Sequence, residues 1–269
     1  MKPTTYTLMR APQRDRRSLL RGAVAAAGAA VLTGCDRLSQ NEAFVDTLKS
    51  AQRLSHAAQS VVAPRPAMAQ EFGPGDVAQT FRGNGTLDPA DADYVALRNS
   101  GFAGYKLTVG GLVETPAEFT LAELRAMPAR TQITRHDCVE GWSCIGKWKG
   151  VPLGTVLDRV KPLAQAKFVV FRCFDSMEGP ALDGRDSRYY ESIDLDEARH
   201  AQTILAYELN DQALPVSNGA PLRCRVERQL GYKQAKYVRA IELVASFDAI
   251  RGGKGGYWED EGYEWYGGI

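Results

Sequence analysis

An α+β fold, with mixed sheets flanked by short helices, is what the sequence predicts for a domain running from about residue 71 to 250. Three observations predict it. Strand-like runs recur at intervals along the chain, while the helix signals between them are brief. Strands and helices do not alternate in the regular βαβ manner, there is no internal repeat, and no glycine-rich phosphate loop follows a strand. Finally, 269 residues with 44% hydrophobic and 24% charged content are enough for one large core or two small ones.

Ahead of that domain, residues 1–35 read as an export signal. Arg16-Arg17-Ser18-Leu19-Leu20 is a twin-arginine pattern, followed by an apolar stretch from about Gly22 to Leu32. Leu32-Thr33-Gly34-Cys35 has the form of a lipobox, which would make Cys35 a lipid anchor. The apolar run falls short of the roughly 20 residues that span a bilayer. Twin-arginine export carries folded proteins, which suits a chain loaded with a cofactor before it crosses to the periplasm. Within residues 36–70, Phe44, Leu48, Ala51, Leu54, Ala58 and Val61 recur at three- and four-residue steps, predicting an amphipathic helix over 41–62 with His56 on its surface. Ala63-Pro64-Arg65-Pro66 ends it.

Inside the domain, Tyr105–Val109 alternates like a strand and meets Gly110-Gly111. Thr120-Leu121-Ala122-Glu123 is a capping box that starts a short helix ending near Met127-Pro128. Residues 130–135 form a strand leading into Cys138, and Pro152–Val160 a helix with proline in its first turn. Residues 168–171, 203–207, 222–226 and 237–244 read as strands. Gly252-Gly253-Lys254-Gly255-Gly256 reads as a turn rather than a nucleotide cradle. Residues 251–269, with Tyr257, Trp258, Tyr263, Trp265 and Tyr266, read most simply as an aromatic flap packed on the domain, with docking of a partner or lining of a pocket as the lesser reading.

Net charge is +1, but residues 1–35 hold six basic side chains and one acid, leaving 27 basic and 31 acidic in residues 36–269, or −4. That balance excludes the electrostatic footprint of a nucleic-acid binder. Cysteines at 35, 138, 144, 173 and 224 make no CxxC pair, no haem-attachment motif and no cluster with histidine, which argues against a metal held by the protein alone. Cys138, in the run Arg135-His136-Asp137-Cys138-Val139-Glu140-Gly141-Trp142-Ser143, lies on a loop at a strand end, where functional side chains are often presented. Three readings stay open for it: a buried inert thiol, half of a disulfide with Cys144, or one ligand to a cofactor that brings its own donor atoms. Arg135 and His136 favour its thiolate, whereas Asp137 and Glu140 oppose it. A thiol hydrolase with His136 or His200 as base competes, although His136 sits too close in sequence to swing onto the thiol. Cys144 and Cys224 read as small core residues.

The second cluster is basic: Arg223, Arg225, Arg228, Lys233, Lys236 and Arg239. Cations converging from neighbouring strands suit a phosphate. Charges on alternate strand residues otherwise mark a solvated face, which the pattern alone favours. Asn218-Gly219-Ala220-Pro221 reads as a turn that offers an amide to a polar ligand.

Eight blocks in order carry a resemblance: 81–85, 111–113, 135–143, 148–153, 189–193, 205–210, 218–223 and 231–236. Over roughly residues 71–269 the chain resembles the molybdopterin-binding domain of the sulfite oxidase family, and most of all its exported bacterial branch, which includes the catalytic subunit of periplasmic protein-methionine-sulfoxide reductase. The resemblance implies a sulfite-oxidase-type fold and a molybdenum–molybdopterin oxidoreductase that transfers an oxygen atom, or performs related two-electron chemistry, on a small or protein-borne substrate. Cys138 matches the metal ligand. Asn84, Cys173, Asn218, Arg223, Lys233, Gln234, Ala235 and Lys236 fall where the family holds the pterin and its phosphate. Tyr189 takes the place of the active-site tyrosine, a proton or hydrogen-bond donor, and Glu140 matches an acid of the reductase branch. Cys173 replaces that branch's threonine. The arginine-rich run that follows the cysteine in sulfite oxidases is missing, with Arg82 left as one cationic contact, which weakens sulfite as substrate. With no haem or iron–sulfur motif, an external electron partner is expected, a cytochrome or membrane haem subunit. A noncatalytic binding protein of the same fold is the competing class.

Overall fold

The alternation and capping signals mature into two five-stranded sheets. The computed structural model describes residues 41, 43–45, 47, 54, 66–177 and 187–269. The chain divides into two units, Met1–Val62 and Ala63–Ile269. In the first, Ala43, Phe44, Val45, Thr47 and Leu54 are helical, in line with the amphipathic stretch, and Phe44 and Leu54 are exposed. The twin-arginine pattern, the lipobox with Cys35, and His56 lie outside the described residues.

The second unit holds the sheets. One contains β1 (Lys106–Gly111), β2 (Ala117–Thr120), β5 (Phe168–Ser176), β6 (Arg188–Asp194) and β10 (Val238–Val244) in the order β2-β1-β10-β5-β6. Only the β1–β10 pairing in it is parallel. The other runs β3 (Arg130–Asp137), β4 (Ser143–Pro152), β7 (Ile204–Leu209) and β8 (Gln212–Ala213), with β9 (Arg223–Arg225) also paired to β7. Short helices α1 (Ala92–Asn99), α2 (Leu121–Ala126), α3 (Leu153–Val160), α4 (Leu195–Ala198) and α5 (Tyr257–Asp260) flank them.

Local chemistry explains the elements. The capping box forms as the sequence requires: Thr120 Oγ1 accepts from Glu123 N, and Glu123 Oε2 accepts from Thr120 N at 2.8 Å. Helix α3 buries Leu153, Val156, Leu157 and Val160, an i, i+3, i+4, i+7 stripe, into the main core with Leu107, Val109, Val169, Phe171 and Ile193. Each such side chain contributes about 1.5–3 kcal/mol on burial. Phe81, Trp148, Ile204, Ala206, Leu209 and Leu214 form a smaller cluster, with the Phe81 and Trp148 rings edge to face at 4.9 Å.

Strand β4 escaped the sequence reading because Gly146 and Gly150 break its pattern. Both glycines are there for close approach. A Cβ on Gly150 would stand 2.2 Å from the Leu205 carbonyl oxygen, and one on Gly146 would stand 2.8 Å from the Phe81 ring.

Candidate active site around Cys138

Strands β3 and β4 are joined by residues 138–142, and this hairpin loop positions the thiol. Asp137 pairs with Ser143 across the ladder. Cys138 N then donates to Trp142 O at 2.9 Å, and Gly141, at φ +83°, closes the loop by donating to Cys138 O. Trp142 is braced from both sides: its Nε1–H donates to Glu140 Oε2 at 2.8 Å, and the Arg82 guanidinium lies 4.8 Å from its ring.

Cys138 opens onto a cleft of about 240 Å³ lined also by Asn84, Gly85, Thr86, Val139, Glu140, Asp175, Met177, Tyr189, Gly231, Tyr232, Gln234, Lys236 and Trp258. Six residues expected from the sequence therefore share one cavity: Asn84, Cys138, Glu140, Tyr189, Gln234 and Lys236. Ala235 is buried, and its carbonyl accepts from Cys224 N. Arg82 is exposed over Trp142 and does not line the cleft. Cys138, Cys144, Cys173 and Cys224 are all free thiols, so the Cys138–Cys144 disulfide does not form. Burial pushes the Cys138 thiol up, partly opposed by the Glu140 backbone N–H and by Arg82 and Arg223. A thiolate here calls for a stronger cation than those side chains, such as a metal.

The basic stretch is not a solvated face. Arg223, Arg225 and Lys233 are wholly buried and Lys236 nearly so. Arg225 is spent on Glu227, with Nη2 2.6 Å from Oε2, and on His136 Nδ1. Its guanidinium stacks 4.3 Å from the Trp148 ring. Lys233, expected to hold the cofactor, is instead locked between Glu191 and Glu259 at 2.6 and 2.5 Å. Lys233 does not line the cleft, and its buried charge is matched by carboxylates distant in sequence. Cys173, like Asn218, Arg223 and Ala235, does not line the cleft, and it sits wholly in the core.

Arg223 is different. Its Nη1 donates to Asn218 O at 3.2 Å, while Nε and Nη2, together with Asn218 Nδ2 and Asn84 Oδ1, are buried without a partner in the protein. Burial and the neighbouring Arg225 lower the guanidinium to about 9. Such orphan donors cost about 1–3 kcal/mol each unless a ligand satisfies them. Lys236 lies close by: burial and Arg223 draw it down to about 7, while its Nζ donates to the carbonyls of Asn84 at 2.5 Å, Thr86, and Ser217 at 3.4 Å.

Neither histidine supplies a hydrolase base to the cleft. His136 is wholly buried, its Nδ1 facing Arg225 and Gln234, and burial with Arg223 and Arg225 holds it neutral. His200 bonds the Ala67 carbonyl and Gln202 N. Tyr189 lines the cleft, but its hydroxyl donates to Tyr232 O at 2.7 Å.

Three lining residues carry no sequence signal, Thr86, Asp175 and Met177, while Tyr232 lies in a block of the resemblance without an assigned role and Trp258 lies in the aromatic tail, for which pocket lining is the lesser reading. Asp175 is one acid at a strand end, without a pattern. Trp258 belonged to the flap, which does pack on the domain: Tyr257 and Glu259 are buried, and Trp265 Nε1–H donates to Ser192 Oγ at 2.9 Å.

Residues 95–248 match the family model described as the oxidoreductase molybdopterin binding domain. The chain belongs to that family. It is a molybdopterin-dependent oxidoreductase. A protein of Azospira oryzae described as "Putative protein-methionine-sulfoxide reductase subunit YedZ1" is 35% identical over 253 residues, covering 94% of this chain and 87% of that one. The protein-methionine-sulfoxide reductase catalytic subunit MsrP of Xanthomonas axonopodis is 40% identical over 144 residues, 52% of this chain and 45% of MsrP. The sulfane dehydrogenase SoxCD of Paracoccus pantotrophus is 22% identical with TM-score 0.46, over 52% of this chain and 38% of that one.

A molybdopterin-binding domain implies a molybdenum cofactor, and the site's chemistry fits one. Among the described residues there is no cluster of His, Cys, Asp and Glu able to hold a metal unaided, so a pterin bringing its own sulfur donors suits a lone soft Cys138. The orphan donors of Arg223 and Asn218 suit its phosphate. When bound, that group supplies two-electron oxygen-atom chemistry.

Proposed function

We propose that this chain is an exported molybdenum enzyme that reduces a sulfoxide to the corresponding sulfide, the substrate being a small molecule or a methionine sulfoxide within a protein. One observation carries the reading. A thiol at the floor of a cleft stands near a buried arginine with two unsatisfied donors, an arrangement costly to the free protein and useful only with an anionic cofactor. The substrate class follows from the lining. Among the described residues Lys236 is its sole cation, and that ammonium is surrounded by three carbonyls, so a sulfite dianion finds little there to hold it. Val139, Met177, Tyr232 and Trp258 offer a neutral sulfur compound an apolar and aromatic wall. The names of the relatives in Azospira and Xanthomonas point the same way.

Net reduction consumes two electrons and two protons and releases water. The electrons come from a one-electron haem carrier, a periplasmic cytochrome or a membrane haem subunit. Residues 1–35 carry the folded protein to the periplasm, with Cys35 as its lipid attachment.

The test is protein purified from a molybdenum-replete host. Wild type retains near-stoichiometric molybdenum and a sulfur-to-metal absorption that Cys138→Ser abolishes, and with a reduced dye it turns over methionine sulfoxide faster than it oxidises sulfite. Absence of molybdenum from wild type, or an absorption unchanged in Cys138→Ser, defeats the enzyme reading in favour of a noncatalytic binding protein. Sulfite turned over in preference defeats the substrate.

A further inference from the structure

We propose that Asp175 is a catalytic residue of this cleft, the group that gives a proton to the oxygen leaving the substrate; the inference rests on the sulfoxide-reducing reading above. Asp175 is the penultimate residue of strand β5, within the stretch where the β5–β6 register slips between Arg172 and Ser176. Such irregularities re-aim side chains at sheet edges. The residue is 3% exposed, lines the same cavity as Cys138, and leaves Oδ1 buried without a partner in the protein. Among the described residues, the other proton carriers on that wall are engaged. Tyr189 gives its hydrogen to Tyr232 O, and Lys236 has three carbonyls about its Nζ. Glu140 is exposed and accepts from Trp142. Cys138 is the expected metal ligand.

The groups that bear on Asp175 are Lys236 and Tyr237 from the segment leading into β10, Tyr94 from α1, Tyr189 from β6, Thr86 from the loop below, and Cys173 on its own strand. Lys236 is the one cation among them. Burial raises the Asp175 carboxyl to about 6, with Lys236 opposing. An acid so placed is protonated in a useful fraction near neutral pH and becomes a stable carboxylate beside the ammonium once it has given its proton. In the balanced step, the sulfur–oxygen bond breaks, the haem-type donor supplies two electrons one at a time, and the oxygen leaves as water, with Cys138 and Arg223 as the residues that would hold the cofactor. One proton comes from Asp175, which is recharged by solvent through the cleft mouth, and the second comes from solvent.

The test compares molybdenum-loaded wild type, Asp175→Asn, Asp175→Glu and Glu140→Gln. Infrared difference spectra of wild type show a buried carboxyl that titrates near pH 6 and is absent from Asp175→Asn. Asp175→Asn keeps its molybdenum and pterin and its KM, loses about 10²–10⁴-fold in kcat, and loses the alkaline fall of the wild-type pH profile. Asp175→Glu restores part of both. Loss of cofactor from Asp175→Asn would make the carboxyl a pterin-holding group and overturn the proposal. So would an unchanged kcat in Asp175→Asn, or transfer of the pH effect to Glu140→Gln. A wild type that holds molybdenum and reduces no sulfoxide would instead refute the parent reading.

Discussion

Replacing Lys233 with methionine removes the ammonium at the centre of a triad that joins β6, the 231–233 turn and α5. The stem keeps its packing, and the two carboxylates lose their counter-charge. At 2.6 and 2.5 Å, with side chains between 0% and 1% exposed, each contact has a gross attraction of about 6 kcal/mol at an effective dielectric near 20. Desolvation offsets much of that in the intact site, but breaking a buried pair strands its partners and costs about 3–5 kcal/mol. Two partners are stranded here, so the upper end applies, a large share of the 5–15 kcal/mol typical of a domain. The sign of the pH effect follows from Glu191, which burial already raises well above 4.5. Without the ammonium its folded form binds a proton more tightly still. That proton stabilises the fold below about pH 4.5 and the contribution is lost as pH rises through the raised folded value. Urea unfolding of Lys233→Met should therefore show a deficit of about 4–5 kcal/mol at pH 7.5 that shrinks towards pH 4.5. The triple variant Glu191→Gln, Lys233→Met, Glu259→Gln should recover most of it. A deficit under about 1 kcal/mol, or one equal at both pH values, would refute the reasoning.

Arg223→Met should have opposite effects on stability and loading. Removing two orphan donors raises or preserves the melting temperature of the cofactor-free chain, while losing charged hydrogen bonds worth about 1.5–3 kcal/mol each lowers retained molybdenum at least about tenfold; thermal melts and metal analysis read the two. Thr120→Ala should cost about 1 kcal/mol in urea unfolding through loss of the α2 cap, with turnover unchanged, since Thr120 is remote from the cleft.

What could be read in sequence was whatever has a local signal. The Thr120 cap, the α3 stripe and the strand that delivers Cys138 all depend on neighbours within a few residues, and all appear where expected, the strand extending to Asp137. What depends on distant partners was illegible. Residues 223–236 looked solvated because Glu191, Glu227 and Glu259, which neutralise Arg225 and Lys233, come partly from other segments. The resemblance, not the pattern, puts Lys233 at the cofactor with Arg223, and of the two only Arg223 keeps unsatisfied hydrogens. Strands β4 and β6 were hidden too: the first by glycines needed for backbone approach, the second by burial on both faces, which erases alternation.

The placement of Trp258 on the cleft wall and of Glu259 in the triad gives one short segment two duties. Helix α5 closes part of the cavity with one residue and neutralises a buried ammonium with the next. Damage to that single turn should therefore be felt at once in the fold's stability and in the shape of the cleft, so the two cannot be varied independently there.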